Sequence, residues 1–403
     1  MKKKKTWIRH RHSIVRNIVA PALYPYCKWR YGLTADRFQD QKERPYLILM
    51  NHQTPFDQFF VALSFPGTIY YVASEDIFSN GLVSALIRWL VAPISIKKQA
   101  SDLTAVMNCI RIAKEGGSIA MAPEGNRTYS GKTEHMNPAV ASLARKLKLP
   151  IALYHIEGGY GVEPRWSDKV RKGKVHGYVS QVIEPEEYAN MTKEELYDRI
   201  REGLYVNEGV SDGVFESECR AEYLERAVYV CPYCGLSEFY SSGNVVECRK
   251  CHRQITYEKD KRLSGVGFSF PFAYMTQWYD YQSDFVRSLD LTQYTESALY
   301  RDTVDLYRVI VNKRKERICR NAAMELYGDR IVIDHGNGTV QTMLFSEVFA
   351  ASVLGRNKLN IYYDDQVYQF KGSKRFNALK YVNFIYRYKQ LGETDMKKIY
   401  LGL

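Results

Sequence analysis

"YLILMNHQTPFD", residues Tyr46–Asp57, decides the fold. Its first five residues are apolar without a break, and polar residues follow at once. A short unbroken apolar run of this kind predicts a buried strand. The residues after it predict a helix start, with Thr54 as N-cap, Pro55 at the first helical position and Asp57 at the third.

The alternation continues outward from this segment. "SDLTAVMNCIRIAKEGG" places Leu103, Val106, Met107 and Ile110 at helical spacing and stops at Gly116 and Gly117. "SIAMA" (Ser118–Ala122) reads as the next strand. "NPAVASLARKLKLP" opens with Asn137 as N-cap and Pro138 at the first helical position, and "PIALYHI" follows as a strand. "TKEELYDRIREGL" begins with the capping pair Thr192 and Glu195. Strands and helices in turn up to about Ile183 predict an α/β sheet layered with helices.

Two readings of His52 and Asp57 follow from the same local geometry. In one, Asp57 stabilises the exposed amides of a first helical turn by ~0.3–1 kcal/mol, and His52 is an ordinary polar residue. In the other, the strand delivers His52 to its C-terminal edge and the helix start turns Asp57 back toward the imidazole. A carboxylate on one ring nitrogen fixes the tautomer and leaves the other nitrogen as a base, which can deprotonate a hydroxyl that attacks an acyl carbonyl. Such a base contributes ~10²–10⁴-fold in rate. A second segment, "AMAPEGNRTYSG" (Ala120–Gly131), follows another strand and holds Glu124, Gly125, Arg127 and Thr128 in a tight loop. An arginine in a Gly-bearing loop suits phosphate recognition; a surface turn with incidental charges is the plainer alternative.

These segments together resemble the glycerolipid acyltransferases of the lysophosphatidic acid acyltransferase type. "NHQTPFD" is similar to their NHX4D block, and "PEGNRT" to their EGTR-type block, with Asn126 where Thr is more usual. "VAPISIKK" takes the place of a block that usually ends in Arg, so Lys98 stands in for a fork with a point charge. "LPIALYHIEGG" resembles the fourth, Pro-led block. The resemblance covers residues 1–200, and implies His52 as general base, Asp57 as its orienting partner, and Glu124, Gly125, Arg127, Thr128 and Lys98 around the acceptor's phosphate. It implies an acyl thioester donor, on coenzyme A or acyl carrier protein, a lysophospholipid acceptor, and no catalytic cofactor. "FFVALSF" and "LVSALIRWLVAPI" could line an acyl groove or be ordinary core.

The 403-residue chain carries a net charge of +12 and 32 tyrosines. Its apolar and charged fractions, 45% and 25%, are ordinary for a globular protein and exclude disorder as the default. Lys2, Lys3, Lys4, Lys5, Arg9, Arg11, Arg16, Lys28 and Arg30 precede the first acid, Asp36. So dense a basic arm points to an anionic partner. Trp7, Ile8, Ile14, Val15, Ile18 and Val19 fall on one side of a helix, with Arg9, His12 and Arg16 elsewhere. That is the pattern of a helix lying on a membrane with anionic lipids, or of a helix packed on its own domain with a solvated basic face. The charge pattern fits a cleaved signal poorly, and Arg88 interrupts the longest apolar run (Gly81–Ile96) short of a membrane span. The expected location is the cytoplasmic face of a membrane, peripheral or monotopic.

Cys231-Pro-Tyr-Cys234 and Cys248-Arg-Lys-Cys251, thirteen residues apart, are two knuckles that supply four thiolates. They predict a closed structural zinc site, with iron as the minor alternative. Four scattered cysteines suit a reducing compartment rather than a disulfide framework. Zinc ribbons often bind nucleic acid, but the basic residues gather at the N-terminus and the ribbon carries Glu238 and Glu247, which disfavours that partner. Beyond Thr303, short alternating runs separated by turns such as Asn337–Gly338 predict a β-rich domain. A final helix on Leu379, Val382, Ile385 and Tyr386 closes it, a plan that resembles the pleckstrin-homology-like one. The expected order is a basic amphipathic segment (1–35), an acyltransferase-type αβ sandwich (36–226), a zinc ribbon (227–260) and a small mainly-β domain ending in a helix (261–403). The functional expectation is transfer of an acyl group to lysophosphatidic acid, giving phosphatidic acid. The alternative is an acyltransferase-like scaffold whose ribbon and C-terminal domain bind nucleic acid or protein.

Overall fold

A computed structural model describes residues 6–39, 44–74, 82–96, 103–310 and 315–391. It divides into two compact units, residues 1–164 with 170–215, and residues 165–169 with 216–403.

The first unit contains, in chain order, α1 (His10–Tyr31), β1 (Leu33–Ala35), β2 (Leu47–Met50), α2 (Asp57–Ser64), β3 (Ile69–Ser74), α3 (Leu82–Val91), β4 (Ile94–Ile96), α4 (Leu103–Lys114), β5 (Ser118–Met121), α5 (Ala139–Leu147), β6 (Ile151–Glu157), α6 (Gly159–Val162), β7 (Val175–Ile183), α7 (Pro185–Tyr188) and α8 (Lys193–Gly203). The sheet order is β1-β7-β6-β2-β5-β3-β4. All neighbours are parallel except β6 and β7. Strand β2 shows why the opening run has no alternation. Leu47 and Leu49 enter one core with Ala105, Cys109 and Ile112 of α4, Val140 and Ala144 of α5, and Leu196 and Ile200 of α8. Ile48 and Met50 enter the other, with Cys27 and Tyr31 of α1 and Phe60 and Val61 of α2. With helices on both faces, either side of a strand must be apolar. This is the α/β sheet layered with helices that the alternation predicts.

Several local readings are corrected. Helix α2 starts at Asp57, not at Pro55, because Thr54 and Pro55 form a turn in which the Thr54 hydroxyl accepts from Phe56 N–H. Helix α5 starts at Ala139, with the Asn137 side chain accepting its N–H. On α4 the buried stripe is Ala105, Cys109 and Ile112, while Leu103 and Met107 are exposed. Trp7 and Ile8 precede α1 instead of sharing a helix face with Ile14 and Ile18, and they pack on the core; on α1 itself Ile14, Ile18 and Val19 are exposed and His12 is buried. The backbone N–H groups of Trp7 and Ile8 donate to Glu115 at 2.7 and 2.8 Å, and His12 Nδ1 lies 3.0 Å from the Tyr70 hydroxyl. The Thr192–Glu195 capping box forms as read, with both reciprocal bonds.

The second unit begins with a hairpin, β8 (Val230–Cys231) and β9 (Gly235–Leu236). The four-stranded antiparallel sheet that follows is β10 (Phe239–Ser242), β11 (Val245–Cys248), β12 (Gln254–Tyr257) and β13 (Leu263–Gly265). Helix α9 (Met275–Ser288) leads to β14 (Tyr300–Val309), β15 (Glu316–Leu326), β16 (Arg330–Asp334), β17 (Val340–Leu344), β18 (Val348–Leu354), β19 (Lys358–Tyr363), β20 (Gln366–Gly372) and α10 (Ala378–Lys389). These seven strands form one antiparallel sheet of order β17-β16-β15-β14-β20-β19-β18. Leu379, Val382 and Ile385 of α10 are buried as read, but Tyr386 is only partly so, and the helix is buried on all sides from Ala378 to Ile385.

Candidate functional site

Two adjacent parallel strands build the site. Leu49 of β2 lies opposite Met121 of β5, so the third residue beyond each, His52 and Glu124, emerges at the same sheet edge. The carboxyl ends of parallel strands are where α/β sheets place their ligands. Asn51 closes the strand end by mimicry of a ladder pair. Its side-chain nitrogen donates to the Ile156 carbonyl at 2.9 Å, and its oxygen accepts the Ile156 N–H at 2.8 Å.

His52 Nδ1 lies 2.8 Å from Asp57 Oδ2. The Asp57 side chain is fully buried, whereas the imidazole is 23% exposed. Asp57 also accepts the N–H of Gln53 at 2.6 Å, the N–H of Thr54 at 2.9 Å and the Thr54 hydroxyl at 2.7 Å. Such a set of donors suits the ionised carboxylate. Nδ1–H then donates to Asp57, and Nε2 is the ring nitrogen left with a lone pair. Both readings of Asp57 therefore hold in part: it organises the turn before α2 and it contacts the imidazole.

The loop after β5 holds the peptide of His52 from both sides. Glu124 Oε1 accepts the His52 N–H at 2.9 Å, and Thr128 N–H donates to the His52 carbonyl at 3.2 Å. Glu124 Oε2 accepts the N–H of Glu134 at 2.9 Å. Burial pushes the Glu124 carboxyl up to about 8; the two backbone donors oppose that rise, and the Glu134 and Asp57 carboxylates add to it. Gly125 takes a positive φ of 71° that turns the loop. Arg127 is half-buried in it. The Thr128 hydroxyl accepts from Ser130 N–H and Gly131 N–H, and the Ser130 hydroxyl donates to Glu134 at 2.7 Å. Of the residues read from the sequence, His52, Asp57, Glu124, Gly125, Arg127 and Thr128 share this edge, while Lys98 lies outside the described residues. Sequence reasoning missed Asn51 and Glu134. The polar Asn51 directly after an apolar strand was a signal; nothing marked Glu134.

In the second unit, Cys231, Cys234, Cys248 and Cys251 bring their sulfurs within 4.8 Å of one another. Cys231 to Cys251 is 3.8 Å and Cys234 to Cys248 is 3.5 Å. Zinc–sulfur bonds of ~2.3 Å in a tetrahedron separate sulfurs by ~3.8 Å, so the cluster fits such an ion. His252 turns to Glu247 at 3.1 Å with a largely exposed ring. Gly235, at φ 73°, makes the tight exit from the first knuckle.

Residues 35–154 match the family model described as Acyltransferase. The chain's relatives are of the lysophosphatidic acid acyltransferase type. A chloroplastic 1-acyl-sn-glycerol-3-phosphate acyltransferase of Brassica napus is 21% identical over 197 residues, 48% of this chain and 56% of the relative. A chloroplastic enzyme of the same name from Arabidopsis thaliana is 21% identical over 175 residues, 43% of this chain and 47% of the relative. The chain thus spans about half the length of the curated relatives it matches. The crystal structure of the 1-acyl-sn-glycerophosphate acyltransferase PlsC from Thermotoga maritima aligns with a TM-score of 0.42 at 21% identity, over 49% of this chain and 80% of that one.

Proposed function

We propose that the protein transfers a fatty acyl group from an acyl thioester to the free hydroxyl of lysophosphatidic acid, giving phosphatidic acid. The observation that carries this reading is the 2.8 Å pair of His52 and buried Asp57 beside the Arg127 loop. His52 Nε2 takes the hydroxyl proton as the oxygen attacks the thioester carbon. The tetrahedral intermediate collapses with cleavage of the carbon–sulfur bond, and the imidazolium returns the proton to the leaving thiolate. Asp57 holds the tautomer and faces the charge that develops on the ring. A thioester already has a good leaving group, so the step needs neither a metal nor a covalent enzyme intermediate. The donor is acyl-coenzyme A or acyl carrier protein. Gly125 and Arg127, with Lys98, meet the acceptor's phosphate, while Thr128, fully buried with its N–H on the His52 carbonyl and its hydroxyl engaged within the loop, and Glu124 shape that loop from behind.

The same reading places the enzyme on the cytoplasmic face of a membrane with anionic lipids. Leu82, Leu86 and Trp89 form an exposed stripe on α3, at 89%, 54% and 55%. Arg11 of α1 donates to the Trp89 carbonyl and lies over its ring, so cations border apolar surface as an interfacial site requires. In the second unit, the Cys₄ cluster holds structural zinc as a ribbon, and the seven strands with α10 follow the pleckstrin-homology-like plan. The test is acyl transfer from labelled acyl thioesters to a panel of lysolipids, with products weighed by mass spectrometry. Phosphatidic acid formation that His52→Ala abolishes, with an unchanged fold, is the expected result; turnover at the normal rate in that variant would remove the base from His52.

A further inference from the structure

Glu124 belongs to the block that the acyl-transfer reading sets against the acceptor's phosphate, but its chemistry is wrong for that ligand. Ionised, it only accepts hydrogen bonds, as a phosphate does, and protonated it has a single O–H to give from a buried position. Its two oxygens are also occupied, one by the N–H of His52 and one by the N–H of Glu134, both at 2.9 Å. The side chain is 8% exposed. Its placement follows from the register of β2 and β5, which sets His52 and Glu124 side by side.

We propose that Glu124 is a positioning residue for His52, fixing the backbone of the base and making no contact with the acceptor. The imidazole is then held at two ends. Asp57 fixes Nδ1, and Glu124, with Thr128 N–H on the carbonyl, fixes the peptide from which the side chain grows. Two restraints of this kind define where Nε2 lies, and misplacement by ~1 Å is enough to slow a reaction by ~10²-fold. In Glu124→Gln one of the two backbone donors would face an amide N–H instead of an oxygen, so the peptide of His52 shifts while the phosphate loop keeps Arg127.

This inference rests on the acyl-transfer reading for its kinetic arm only. The full chain and the variants E124Q, E124A, R127A, H52A and H52A/E124Q would be assayed with palmitoyl-coenzyme A and lysophosphatidic acid, their folding checked by circular dichroism. E124Q is expected to lower kcat by ~10²-fold and leave the acceptor KM within about twofold, whereas R127A raises that KM. The double variant should be no slower than H52A alone, since the two residues act as one unit. A raised acceptor KM at normal kcat in E124Q, or additive losses in the double variant, would overturn the proposal. The second arm needs no turnover: nitrogen-15 NMR of the His52 ring should show the Nδ1–H tautomer in the native protein and a shifted or broadened signal in E124Q. An unchanged ring signal overturns the positioning role. If the native protein makes no phosphatidic acid, the functional reading fails while this arm still decides. Should E124A fail to fold, E124Q carries both arms.

Discussion

Asp57 accepts from four donors, the N–H groups of Gln53 and Thr54, the Thr54 hydroxyl and His52 Nδ1. Asp57→Asn replaces one acceptor oxygen by a donor among donors, leaving at least one buried N–H unmet. The variant should therefore be less stable by ~1–3 kcal/mol, read from urea midpoints. It should also lose ~10²–10⁴-fold in kcat if His52 is the base. His52→Ala, removing a partly exposed ring, should melt close to the native protein. Glu124 makes a different prediction, through pH. Its folded pKa, near 8, lies above the 4.5 of a free carboxyl, so the folded state binds the extra proton between those values. Its stabilising contribution is complete below pH ~4.5 and is lost as the pH rises through ~8. Stability of the native protein should then fall from pH 5 to pH 8 more steeply than that of Glu124→Gln. Equal slopes would show that Glu124 is not the group being titrated.

At the scale of elements, the order of strands and helices was legible because both faces of the sheet are covered, so continuous apolar runs such as Tyr46–Met50 stand out. The helix faces were less so. Leu103 and Met107 have the right spacing for a core stripe, yet small Ala105 and Cys109 are what α4 buries against the sheet. Periodicity finds apolar stripes but does not rank two on one helix. The surroundings of Glu124 were hidden for another reason: its partners are backbone N–H groups, that of His52 beyond β2 and that of Glu134 further along its own loop, which no local pattern encodes. The exposed stripe on α3 carries the prediction for this scale. Leu86→Glu with Trp89→Glu sets two charges on an apolar surface, so sedimentation with anionic phosphatidylglycerol vesicles should drop sharply. The helix itself should persist by circular dichroism, because both residues are exposed and Glu is a good helix former. Undiminished vesicle binding would remove α3 from the membrane contact.

Over the whole molecule, the His52–Asp57 pair and the four cysteines lie in different compact units, which allows the roles proposed for them to be separated experimentally. The second unit is built from residues 165–169 together with those from 216 onward; Arg165 donates to the Val353 carbonyl and Asp168 pairs with Arg226. The four sulfurs are drawn from the β8–β9 hairpin and from the β11–β12 end of the four-stranded sheet, so one ion would tie the short hairpin to that sheet. Short pairs of this length are marginal alone, and a tetrathiolate ion contributes its binding free energy directly to folding. Cys248→Ser should therefore lose stoichiometric zinc, measured by metal analysis of the purified protein. It should also lower the melting transition that belongs to residues 216–403, identified by hydrogen exchange of α10 and its sheet. The exchange of β2, β5 and β6 should be unaffected below that transition, and acyl transfer in the cold should persist. Retained zinc would contradict the four-thiolate site. Loss of zinc with loss of protection at β2 would show that the first unit depends on the metal as well.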